Sequence, residues 1–142
     1  MAETVFENGH SYAFSRRFPF DWNGHPIVAL HLLARDGTWQ EFPVVADTGA
    51  DMTLMPRSDA SRLGISDIER GYVQEGTLGT AGLGSVTAFF HRFLATVPGS
   101  EIHFPVLVGF SPNTRCRLFG RSAMAREFVL VFDSQATHFL RD

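Results

Sequence analysis

Lysine is absent from this chain. All twelve basic residues are arginine, which excludes Schiff-base chemistry on a lysine amine. Cysteine is nearly absent: Cys116 stands alone, so no internal disulfide can form and the fold does not depend on an oxidising compartment. Arg115 and Arg117 flank that thiol, but no base partner stands near it, and it reads as an incidental strand-edge residue. Positive charge is not in excess either. A net charge of −3 gives no electrostatic case for nucleic acid, whose phosphates need a basic face. No apolar run approaches the roughly 20 residues that cross a bilayer. The acidic start Met1-Ala2-Glu3-Thr4-Val5-Phe6-Glu7 lacks the apolar segment of a signal peptide, so no membrane partner and a cytoplasmic location are expected. His10, His25, His31, His91, His103 and His138 show no metal-ligand spacing, and neither a metal nor another cofactor is expected. A Gly-x-Ser-x-Gly element is missing, which removes the case for a serine hydrolase.

What is present is the composition of one globular domain: 142 residues, 44% hydrophobic and 19% charged. Fourteen Phe, thirteen Gly and seven Pro favour strands and turns over long helices. Ser11 to Phe20 reads as a strand, closed by a turn at Asp21-Trp22-Asn23-Gly24. Pro26 to Arg35 and Thr38 to Ala46 form a hairpin about Asp36-Gly37. Ser58 to Leu63 reads as a short helix with Ser58 as N-cap and Gly64 as C-cap. Gly71 to Phe90 reads as a hairpin with a glycine-rich tip, since four glycines fall between Gly76 and Gly84. His91 to Val97 continues as strand, Pro98-Gly99 turns, and Ile102 to Val108 returns; His91 and His103 are expected half-exposed. Gly109 to Arg115 reads as a loop, Arg121 to Glu127 as a short helix, and Phe128 to Phe132 as a buried strand ending at Asp133. The predicted class is all-β, a closed or partly closed barrel with one or two short helices.

The chemistry is concentrated in Phe42-Pro43-Val44-Val45-Ala46-Asp47-Thr48-Gly49-Ala50-Asp51-Met52-Thr53-Leu54. An apolar strand delivers a carboxylate into a tight turn of small residues. A solitary turn Asp satisfying local N–H groups would be the ordinary reading. The apolar lead-in argues otherwise, because a carboxylate at the end of a buried strand is costly unless it is paired or used. About 70 residues downstream stands Leu118-Phe119-Gly120-Arg121, two large apolar residues, a glycine and an arginine.

Jointly these motifs resemble the retropepsin-like aspartic proteases, single-domain relatives of the pepsin fold that act as homodimers. The resemblance spans residues 26–133, leaving 1–25 as an N-terminal extension and 134–142 as a C-terminal tail. It implies an acid-protease single lobe and an aspartic endopeptidase that cleaves extended peptide or protein segments. Because the chain holds one Asp-Thr-Gly, it would be half an active site. Asp47 of two copies would meet at the two-fold axis and share a proton. Thr48 would lock the paired turns, and Gly49 would let the substrate backbone approach. Ala50, Asp51, Met52 and Val108 would line the substrate site. Gly79, Thr80, Ala81, Gly82 and Leu83 would form a flap above it. Gly120 and Arg121 would support the turn, with Arg121 paired to Asp51. Met52 stands where many retroviral members carry a second acid, so the adjoining subsite should be more apolar. Ala50 places no hydroxyl beside the carboxylates, which implies a mildly acidic optimum. A phosphate-cradling reading of Gly76 to Gly84 fails, since no Lys-Ser/Thr ending and no helix follow. The alternative is a non-catalytic module of the same fold, dimerising or holding a peptide by strand addition, which would tolerate Asp47→Asn.

Overall fold

The computed structural model describes residues 4–5, 11–80 and 84–142. A short antiparallel pair, β1 (Thr4–Val5) with β2 (Ser11–Tyr12), precedes β3 (Phe14–Pro19). Seven strands then form the main sheet: β4 (Ile27–Leu33), β5 (Trp39–Asp47), β6 (Thr53–Pro56), β7 (Gln74–Thr80), β8 (Gly84–Thr96), β9 (Phe104–Ser111) and β10 (Leu118–Gly120). Their order is β4-β5-β10-β6-β9-β8-β7, and β4 also pairs with β8, so six strands close into a barrel. β7 is left outside the ring, as the outer arm of a hairpin with β8. A 3-10 helix, Arg57–Leu63, and one short helix, α1 (Arg121–Glu127), are the helical elements among the described residues. Finally β11 (Val129–Phe132) and β12 (Ala136–Arg141) join β3 in a three-stranded sheet of order β11-β12-β3.

The strands follow from local chemistry. β4 alternates half-buried and buried positions along its length, placing Val28, Leu30 and Leu32 in the core. The turn into β5 is built by Asp36, whose Oδ1 accepts from the Thr38 N–H and hydroxyl at 3.0 and 2.6 Å, with Gly37 at φ 87°. The phenylalanine surplus fills the barrel: Phe42, Phe104, Phe110, Phe119 and Phe139 are fully buried. Phe139 meets Phe18 and Phe128 edge-on at 5.8 and 5.4 Å, which ties β12 and β3 to the main core.

Several local expectations are corrected. The 3-10 helix starts one residue earlier than expected, with Pro56 at its N-cap and no side-chain cap; Ser58 instead accepts at its carbonyl from Ser61. Gly64 does close that helix, at φ 86°. β9 runs on through Ser111, because parallel pairing to β6 continues to Pro56 and Phe110 is buried. β11 is not buried: Val129 and Phe132 are 46% and 41% exposed, while Phe128 just before it enters the core. His91 is buried rather than half-exposed, its Nε2 lying 2.8 Å from the Ile68 carbonyl oxygen. His103 is exposed and packs against Trp39. Cys116 is exposed in the loop before β10.

Candidate active site

Val44 and Ala46 are buried as β5 runs out, so the strand carries Asp47 to the edge of the core. Asp47 is half-buried, and Thr48 and Gly49 beyond it are exposed. The Gly49 N–H donates to Asp47 Oδ1 at 2.9 Å, and the Ala50 N–H to the Asp47 carbonyl at 3.2 Å. The turn thus fixes one carboxylate oxygen from its own backbone.

The downstream motif clamps this turn. β10 inserts between β5 and β6, parallel to the first and antiparallel to the second, with Gly120 level with Asp47. Gly120 donates to the buried Thr53 hydroxyl at 3.1 Å. The Arg121 and Ser122 N–H groups donate to the Ala50 and Asp51 carbonyls at 2.7 and 3.1 Å. Arg121 also reaches back with its side chain, to the Thr48 carbonyl at 3.3 Å and to the Asp51 carboxylate. The two charges paired from sequence are therefore in contact. Both side chains are largely exposed, so the ion pair itself contributes less than about 1 kcal/mol. Gly120 is sterically required: a Cβ there would lie 2.4 Å from the Met52 carbonyl carbon and oxygen.

Beside the turn lies a small apolar cluster on the opposite side of the strands from the main core. Leu54, Ala88 and Phe90 are buried in it, with Met52, Leu107 and Leu118 packed against them. Alternation along β9 decides which residue faces which way: Val108 is buried in the main core and Leu107 packs on the small cluster. Sequence reasoning took Val106-Leu107-Val108-Gly109 as the substrate-side strand and singled out Val108, although strict alternation through it carried the signal for Leu107. Gly76 and Gly109 lie against the Phe90 ring, where added Cβ atoms would sit 3.1 and 2.7 Å away, so packing explains these glycines. Gly79 and Thr80 end β7 opposite Ser85 and Gly84. Ala81, Gly82 and Leu83, named for the flap, lie outside the described residues.

A second polar feature was not read from sequence. Asp59 is buried and takes both arms of Arg117, Nε at 2.6 Å and Nη2 at 2.9 Å. That hydrogen-bonded carboxylate raises the Arg117 pKa above its usual value, against the opposing effect of burial. Arg117, one of the two arginines flanking Cys116, is thus committed to a structural pair. Among the described residues no group of three or more His, Cys, Asp or Glu side chains is arranged to hold a metal ion. No described helix is long and apolar enough to cross a membrane.

The fold has solved counterparts. One is a retropepsin-like aspartic protease from Rickettsia conorii, with a TM-score of 0.62 over 90% of this chain and 91% of that one, at 17% sequence identity. At that identity the likeness is one of fold, and the fold is the single acid-protease lobe expected from the sequence. No protein-family model matches the sequence, and no curated protein matches it.

Proposed function

We propose that this chain is one half of an aspartic endopeptidase, completed by a second copy of itself. The observation that carries the reading is the placement of Asp47. A carboxylate sits at the mouth of a buried strand, its turn held by backbone bonds from Gly120-Arg121-Ser122, yet it stands at an open surface. A structure that fixes one half-buried carboxylate so firmly at a surface turn is suited to present it to something.

In the dimer, Asp47 of each copy would approach the other closely enough that both cannot ionise, and the pair would hold one proton. The ionised member draws a proton from a bound water as that water attacks the peptide carbonyl. The protonated member donates to the carbonyl oxygen, and its proton follows the developing negative charge. Thr48, exposed at the tip of the turn, would meet its counterpart across the two-fold axis. The Leu54–Leu107–Leu118 cluster would form an apolar subsite beside the scissile bond, with Met52 at its edge. The β7–β8 hairpin would be the covering element.

The test is cleavage of a diverse peptide pool from mildly acidic to neutral pH, comparing the natural chain with Asp47→Asn. Cuts made only by the former are expected, peaking at mildly acidic pH. No cuts from protein shown to be dimeric would instead favour the peptide-binding module.

A further inference from the structure

A cavity of about 350 Å³ opens between β9 and α1, lined among others by Met52, Arg92, Pro105, Leu107, Ser122 and Arg126. Its lining combines apolar side chains with two arginines. Arg92 stands directly opposite Leu107 in the β8–β9 register, and Arg126 lies in the last turn of α1. Both are exposed. The neighbouring carboxylates are already engaged, Asp51 with Arg121 and Glu127 with Arg141. Among the described residues neither Arg92 nor Arg126 has a side-chain ion pair. Two like charges on one cavity repel, and an incoming anion relieves that repulsion.

Met52 belongs to two places at once. It packs on the apolar cluster beside the Asp47 turn and also lines this cavity. A peptide laid along the cluster therefore passes Met52 and projects a side chain over the two arginines. We propose that this cavity is a substrate subsite for glutamate, an inference that rests on the peptide groove of the preceding reading. The glutamate methylenes lie on Met52, Pro105 and Leu107, and its carboxylate takes charge-assisted hydrogen bonds from Arg92 and Arg126.

The experiment separates binding from catalysis. A pool of short randomised peptides is passed over the Asp47→Asn protein, and the retained peptides are sequenced by mass spectrometry. Glutamate should be enriched about threefold over glutamine at one position, as a charge-assisted contact at a partly exposed site allows. The enrichment should vanish when Arg92→Gln and Arg126→Gln are added, and should weaken in about 0.5 M salt. Retention of no peptide, or glutamate enrichment unchanged without the two arginines, overturns the proposal. If the natural chain cuts nothing yet the glutamate selection stands, the endopeptidase reading fails and the subsite survives. If it cuts without acidic preference, the reverse holds.

Discussion

Gly120 was legible as a motif residue long before its reason was. In sequence it is one glycine among thirteen; in the structure its missing Cβ is what lets β10 lie against the backbone of Met52. The obstructing atoms are main chain, not the end of a flexible side chain, so Gly120→Ala forces the strand or the turn to move. We expect a loss of about 2 kcal/mol of stability by denaturant titration, together with loss of turnover from the displaced Asp47 turn. Asp59 was not legible at all, because its partner Arg117 lies 58 residues away and each reads locally as an ordinary surface charge. Removing the arginine strands a buried carboxylate: Arg117→Ala should cost about 3 kcal/mol. The paired replacement Asp59→Leu with Arg117→Met should cost less than that single change, since no charge is then left buried and alone. A double variant less stable than Arg117→Ala would show that the pair stabilises beyond its own desolvation.

Among the elements, those with clear alternation or marked turns were readable from the sequence: β4, the Asp36-Gly37 hairpin, and α1 at its observed bounds. The misread ones failed for different reasons. Phe128-Val129-Leu130-Val131-Phe132 is uniformly apolar, so it carries no period from which an exposed face could be told. The length of β9 was set by a parallel partner distant in sequence, not by its own residues. The turn between β11 and β12 carries a prediction of its own. Asp133 accepts from the Gln135 and Ala136 N–H groups at 2.7 and 2.8 Å, and its Oδ2 lies 2.8 Å from His138 Nε2. Those bonds, the Gln135 N–H foremost, lower its pKa from 3.8 to about 2. Because the folded value is the depressed one, the carboxylate stabilises the fold above pH 3.8 and that contribution is lost as the pH falls towards about 2. Thermal unfolding followed across this window should show a steeper fall in Tm for the natural chain than for Asp133→Asn. Parallel curves would mean that the turn's bonds persist in the unfolded chain.

For the whole molecule, early and late strands meet: β3 and β12 pair along the length of both strands and bury Phe18, Phe139 and Leu140. The barrel's closure was readable as a class, but this pairing was not, since it joins residues more than a hundred positions apart. The chemistry proposed for Asp47 needs a second carboxylate facing it, and the proposed function places it on another copy. That dependence can be read without knowing the natural substrate. If the active site is shared, a copy carrying Asp47→Asn poisons each natural copy it pairs with. Once subunits have exchanged, a ninefold excess of the variant should reduce turnover to about a tenth, because natural pairs become that much rarer. A catalyst complete in one chain would be indifferent to the added variant. Dilution gives the complementary result: specific activity should fall once the concentration drops below that of half-dissociation, and excess Asp47→Asn protein should not restore it. Activity constant under both treatments would assign the chemistry to a single copy and remove the two-fold site.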